Sequence, residues 1–198
     1  MEEYFFLSRE ASPELFSDTD SDVTLPPSSP RSVIRNIIPH ITQIACLGCG
    51  GKTEFSTYIL PKLPMDPGAE KATGIVFDGS YLVVKGQRVD AVPIKDELKN
   101  FISWISQFEN VFLIAHSGRI FYFRVLSFAL QNCGLQSKFT ECVTRCVDSL
   151  TVIKHKFPKL NSYKQECLAS HFGLPNYNAL NAEDDVHMLH QIVSCYAE

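Results

Sequence analysis

The chain has 198 residues, 45% of them hydrophobic, with 18 Lys and Arg against 22 Asp and Glu and a formal net charge of −4. That size suits one domain, or one domain with a tail, and 14 Phe with only 20% charged residues exclude a wholly disordered chain. No apolar run approaches the roughly 20 residues needed to span a bilayer, and nothing at the N-terminus resembles a signal peptide. The total charge hides its distribution. Residues 1–22 hold seven acids and one base, a net −6, whereas the remainder holds 17 bases and 15 acids, a net +2. Seven cysteines without an export signal point to reduced thiols in the cytosol or nucleus.

Residues 1–36 read as an acidic, Ser/Pro-rich flexible N-terminal segment, within which residues 4–10 are a candidate strand. The core of this segment, ASPELFSDTDSDVTLPPSSPRS, offers too little apolar surface to offset the entropy of ordering it. Ser12-Pro13 and Ser29-Pro30 resemble proline-directed kinase sites, and Ser17, Thr19 and Ser21 lie among acids. A solvated linker is the plainer reading. From residue 37 the chain is expected to form one domain to residue 198. ITQIACLG and EFSTYIL flank Gly48, Gly50 and Gly51 and predict a hairpin. PKLPMDPGAEKATG reads as a loop, and short strands are expected around Asp78-Gly79 and Gly86. PIKDELKNFISWISQF places Leu98, Phe101, Ile102, Ile105 and Phe108 on one helical face. VFLIA is a strand buried on both faces, and RIFYFRVLSFALQNC is a helix stopped by Gly134. A short strand near FTECVTRCVDSL, a helix over SYKQECLASHFG and a last helix from AEDDVHML complete the order. The pattern predicts an α/β domain with a mixed sheet and helices on both faces, with ligands gathering just after VFLIAHS.

HITQIACLG, KATGI, FISWI, VFLIAHSGRIFYFRVL, CVDSL, FPKLNSYKQECLASHFG and ALNAEDDVHML, in that order and spacing, resemble the DnaQ-like 3′–5′ exonucleases of the DEDDh type. Within that superfamily they are most similar to the exonuclease-like C-terminal domain of the promyelocytic leukaemia protein and related transposon domains. The likeness covers roughly residues 37–195. It implies a ribonuclease H-like mixed β-sheet flanked by helices, and a mechanism in which carboxylates hold two Mg²⁺ or Mn²⁺ ions while a His activates water.

Each motif departs from that pattern. The first, a strand ending Asp-x-Glu, is matched by EYFFLSREAS with Ser8 in place of Asp and with Glu10 retained. In the second, AHSGRIFY puts Tyr122 where the family has a metal-binding Asp, and tyrosine is neutral near pH 7. In the third, LNAEDD puts Leu180 in place of the general-base His and retains Asp185. Asp148 matches a position where hydrogen bonding or helix capping is expected. The mechanism asks for four carboxylates and a base; the chain clearly retains Asp185 alone, with Glu10 as a second candidate. No intact catalytic set, and no cofactor, is expected; Mg or Mn would be required only if the domain were active.

Other groupings have plain readings. Cys46 and Cys49 have the spacing of half a zinc site, but apolar packing is the better account of CLGC. Glu183, His187 and His190 have helical metal-ligand spacing, but a solvated helix face explains them. Candidate nucleic-acid contacts are His116 and Arg119 at the strand end and Lys154, Lys156, Lys159 and Lys164, which are interleaved with Phe157 and Tyr163. The expected function is that of a degenerate exonuclease-like domain serving as an interaction or scaffold module with a protein partner. The resemblance places it in a nuclear protein. Competing readings are an active metal-dependent exonuclease using Glu10, Asp78, Asp184 or Asp185, and a non-cleaving binder of single-stranded nucleic acid.

Overall fold

A computed structural model describes residues 3–11, 41–62, 64–177, 179 and 181–197, with backbone alone at 7–11 and 197. The expected flexible stretch and its kinase-like sites lie outside the described residues. The first strand, β1 (Glu3–Ala11), is formed by the run that the sequence left as a candidate. It pairs antiparallel with β2 (Ile41–Gly48), which pairs with β3 (Glu54–Leu60) through the expected glycine hairpin. On its other side β1 runs parallel to β8 (Val111–Ala115), and β8 runs parallel to β9 (Val143–Asp148). With β7 (Ala91–Pro93) on β3, the six-stranded mixed sheet has the order β7-β3-β2-β1-β8-β9. The short strands β4 (Ile75–Phe77), β5 (Leu82–Val84) and β6 (Gln87–Val89) form a separate antiparallel sheet.

Strand alternation sends neighbouring residues of β1 into two cores. Phe5, Ile44, Cys46, Leu113 and Ala115 face α2 (Ile94–Ile105), α3 (Phe123–Cys133) and α4 (Gln136–Cys142). Phe6, Ala45, Leu47 and Ile114 face α7 (Ala182–Ala197) through Ala182, Val186 and Leu189. Behind α7, α5 (Ser149–Lys156) and α6 (Gln165–His171) add a third cluster around Ile153, Leu168, Met188 and Ile192. Helices therefore cover both faces of the sheet, as the sequence pattern predicts. Leu98, Phe101, Ile102 and Ile105 are the buried apolar stripe of α2, while Phe108 packs on the same core beyond its end.

Four local expectations are corrected. PGAEKAT is a helix, α1 (Pro67–Thr73), not loop. Asp66 caps it by accepting from Gly68 N at 2.7 Å and Ala69 N at 3.3 Å, Pro67 occupies the tolerant first turn, and Gly74 closes it at φ 70°. The residues that look like breakers are its start and stop. FTEC belongs to α4, so β9 begins only at Val143. A further helix, α5, follows Asp148, whose carboxylate caps it. The helix expected from Arg119 opens instead as a π-helical turn, Gly118–Tyr122, and becomes α3 at Phe123; Gly134 stops it at φ 69°.

Phe5 is 1% exposed, with its ring 5.4 Å from Trp104 and 4.8 Å from Phe108. Phe5→Ala is expected to cost about 3–5 kcal/mol, read as a lower urea midpoint with an unchanged slope. Wild-type stability in that variant would remove β1 from the centre of the fold.

Candidate functional site

The parallel strands β1, β8 and β9 end on one edge of the sheet, where ligands gather in such architectures. At the end of β8, His116 is 8% exposed and both ring nitrogens are engaged. Its Nε2 is 2.7 Å from the Tyr163 carbonyl, which can only accept, so Nε2 carries the hydrogen. Nδ1, 3.0 Å from Ser149 Oγ, then accepts from that hydroxyl. Burial holds the imidazole below its ordinary pKa, more strongly than the Tyr163 carbonyl and Asp148 raise it; Lys154 adds to the lowering. At the end of β9, Asp148 accepts from Leu150 N and from Arg119 N, each at 3.0 Å. It thus caps α5 and ties the π-helical turn to the sheet. Entry into that turn requires Ser117 at φ 56° and a glycine at 118, where a Cβ would lie 2.3 Å from the Phe123 ring.

The third motif enters through the first turn of α7. Asn181 Oδ1 accepts from Glu183 N at 3.0 Å and Asp184 N at 3.2 Å, and Gln43 Oε1 accepts from Ala182 N at 3.1 Å. Gln43 stands directly across from Glu10 in the β1–β2 register, and Ala45 across from Ser8. That places the start of α7 beside the carboxyl end of β1. The Asp185 N–H donates to Asn181 O at 2.9 Å, and its carbonyl accepts from Gln165 Nε2 at 2.8 Å. Burial, first, and then the charges of Asp185 and Glu166 and the proximity of Tyr122 drive the Tyr177 phenol far above its usual pKa, so it stays protonated.

Tyr122 and Asp185 both act electrostatically on Tyr177. Tyr122 is half-buried against the α2–α3 core and edge-on to Phe121 at 5.4 Å. Ser8 and Glu10 hold the expected places along β1, while their side chains and Leu180 lie outside the described residues. Tyr177 was missed by sequence reasoning, because nothing in LPNYNALNAEDD marks that tyrosine as a partner of Asp185.

A pair of Mg²⁺ or Mn²⁺ ions needs several hard anionic oxygens close together. Among the described residues no group of three or more His, Cys, Asp or Glu side chains is placed to hold a metal ion, and the side chain of Glu10 lies outside them. The other groupings are also dispersed. Cys46 lies in the core, where burial raises its thiol pKa, while Cys49 is exposed in the hairpin turn. Glu183 accepts from Ser56 Oγ at 3.4 Å, His187 Nε2 lies 3.3 Å from Glu54 Oε1, and His190 Nε2 donates to Cys49 O at 2.8 Å. His190 also sits edge-on to Phe6 at 5.1 Å, so it packs against the sheet rather than lying on a solvated face.

The candidate nucleic-acid contacts divide similarly. His116 has no ring nitrogen left to offer, which replaces that reading with a structural one. Lys156 donates to the Tyr196 carbonyl, and Lys154 lies 5.6 Å from the Tyr163 ring centre. The side chains of Arg119, Lys154, Lys156, Lys159 and Lys164 are all exposed.

No family model and no curated protein matches this sequence. Solved structures do. The chain superposes on E. coli exonuclease I in its zinc-bound complex with single-stranded DNA at a TM-score of 0.70 and 15% identity, covering 98% of this chain and 40% of that one. The complex of the same enzyme with a dT13 oligonucleotide gives 0.70 and 14% over the same shares. Its complex with a dA16 oligonucleotide gives 0.70 and 13%, over 100% of this chain and 42% of that one. The fold is a ribonuclease H-like mixed sheet flanked by helices. The likeness is one of fold, and the chain spans about two fifths of the length of those enzyme chains. Among the described residues no helix is long and apolar enough to cross a membrane.

The lowered pKa of His116 has a definite sign. The unfolded chain takes up a proton below about pH 6.5 that the folded chain refuses, so stability falls with pH there. The slope contributed by this residue reaches about 1.4 kcal/mol per pH unit and ends at the lowered folded value. Urea unfolding at pH 7.5 and 5.5 should show a larger loss for wild type than for His116→Asn. Equal losses would mean that the imidazole titrates normally.

Proposed function

We propose that this domain is a catalytically degenerate exonuclease fold retained as an interaction module, within a nuclear protein of the kind the promyelocytic leukaemia-like resemblance implies. The observation that carries the reading is Tyr122, a phenol packed against the α2–α3 core at the position where the resemblance puts a metal-binding Asp. Of the carboxylates the resemblance calls for, the chain then keeps Asp185, with Glu10 as a second candidate. Leucine at 180 cannot take a proton from water, so the family's base is absent as well. Loss of single parts of a concerted site usually costs several orders of magnitude in rate, and losses within one working unit do not add simply.

One observation favours a second reading, a binder of single strands that does not cut. The exonuclease I structures that share the fold hold single-stranded DNA, dT13 and dA16. This chain exposes Arg119, Lys159 and Lys164, and its folded part carries a small positive excess. Phosphate contacts of this kind give affinity that falls steeply with salt.

Incubation of labelled single-stranded DNA and RNA with the protein and Mn²⁺ or Mg²⁺ should leave the substrates at full length, with wild type and Asp185→Ala indistinguishable. Metal-dependent shortening that disappears in Asp185→Ala would overturn the non-catalytic reading. In the same samples, fluorescence anisotropy separates the two non-catalytic readings. Binding that weakens with salt and in Lys159→Glu/Lys164→Glu supports the nucleic-acid binder; no change in anisotropy at low salt supports the protein-interaction module.

A further inference from the structure

We infer that the apolar cavity between the start of α2 and α3 seats one bulky apolar side chain of a partner peptide, whose neighbouring acidic residue is met by Lys62 at the rim. The inference deepens the interaction-module reading, on which it rests, by naming where the partner docks and what it brings. None of the metal-site positions of the resemblance lies among the residues of this cavity.

The cavity measures about 140 Å³. Its walls are Ile41 and Leu60 at the ends of β2 and β3, Ile94 at the start of α2, and Val125 and Ala129 of α3. Ile41 and Val125 belong to the core that faces α2, α3 and α4, so the cavity lies on the opposite face of the sheet from α7 and Asp185. Phe128 forms its lip and is 37% exposed, whereas Val125, Leu126 and Leu130 of the same helix are buried. Water gains little in such a space, because apolar walls offer it few hydrogen-bond partners. An exposed ring at the mouth of an open apolar cavity marks a surface that another molecule completes.

Size and charge select the occupant. Sites that enclose a whole small molecule run to roughly 300–1,000 Å³, and this cavity is less than half the lower bound. It is close to the roughly 150 Å³ space that holds one benzene ring, the scale of a single Leu or Phe side chain. Such a side chain would bury its surface against groups already in place, which keeps the ordering cost low. The polar groups at the rim are Lys62 and Asn132, both exposed. No acid is among the described residues that line the cavity. The acids in the first turn of α2, Asp96 and Glu97, accept from Lys99 Nζ at 2.9 Å and from Asn100 Nδ2 at 3.0 Å. The rim is therefore positive. An Asp or Glu beside the entering side chain complements Lys62, and the Asn132 amide can bond the peptide backbone.

Cys133 also lines the cavity and is half-buried, which gives the site its own reporter. Alkylation of the full chain by iodoacetamide is resolved cysteine by cysteine in a mass spectrometer. It is followed with three acetylated, amidated peptides: Gly-Phe-Glu-Gly, Gly-Phe-Lys-Gly and Gly-Ala-Glu-Gly. Gly-Phe-Glu-Gly should slow the reaction at Cys133 severalfold and saturably at about millimolar concentration, a weak affinity suited to a single anchor. Exposed Cys49, Cys146, Cys167 and Cys195 should react at unchanged rates. The other two peptides should protect little. Lys62→Glu should shift the preference to Gly-Phe-Lys-Gly, and Ala129→Phe, which fills the cavity, should abolish protection. Lys62 is exposed, so its variant decides the charge match even if Ala129→Phe does not fold. Absence of protection by every peptide, or equal protection by the Phe and Ala peptides, would overturn the site. Equal protection by the Glu and Lys peptides would overturn the acidic partner. Stronger protection by 3-phenylpropanoate than by any peptide would assign the cavity to a free apolar acid, and slowing that appears only as protein concentration rises would assign it to a second copy; either overturns the peptide. If no peptide protects and single-stranded DNA stays intact, the docking site fails and the non-catalytic reading stands. If Gly-Phe-Glu-Gly protects and DNA is cut, the site stands and that reading fails.

Discussion

The antiparallel and parallel pairing of β1 with β2 and β8 is the constraint from which the rest of the molecule is built. Its residues cannot be exchanged between faces, because a shift of one position would send Phe5 toward α7 and Phe6 toward α2. Phe5 fills the core beneath Trp104 and Phe108, whereas Phe6 meets Ala182, Val186 and Leu189. The same register carries positions 8 and 10 to the end of the strand, across from Ala45 and Gln43. Gln43 then fixes the start of α7 through Ala182 N, so Asp185 owes its place to a glutamine on the next strand.

The strand ends also need partners for backbone and side-chain polar groups that the sheet no longer satisfies. His116 meets this need on β8 by joining Ser149 to the Tyr163 carbonyl, and Asp148 meets it on β9 by joining Arg119 N to Leu150 N. These bonds run between the π-helical turn, α5 and the segment before α6. They are internal ties, and their residues are spent on the fold rather than on a ligand. A histidine at the end of a central strand attracts a catalytic reading, yet burial and two filled nitrogens make it part of the frame.

Much of this was legible in the sequence, and the exceptions have physical causes. VFLIA, the glycine hairpin, the apolar stripe of α2 and the stop at Gly134 are local signals, each carried by a few adjacent residues. The helix α1 was hidden because Pro67 and Gly74 look like interruptions when the cap at Asp66 is not considered. The helix α5 buries only Ser149 and Ile153, so it has little apolar periodicity to notice. At the cleft, the positions of Tyr122 and Asp185 could be read from spacing alone. Their common influence on Tyr177 could not, because no local pattern around that residue marks it.

The replacements at this cleft are consistent with one another. A carboxylate at position 122 would add negative charge beside Asp185 and Glu166, and without a cation that repulsion would raise the pKa of the group or loosen the first turn of α7. A phenol at 122 removes the charge and keeps the volume, since Tyr122 packs against the α2–α3 core. The side chain at 122 therefore contributes apolar contact to the α2–α3 core and edge-on packing with Phe121 rather than an anionic oxygen at the strand ends.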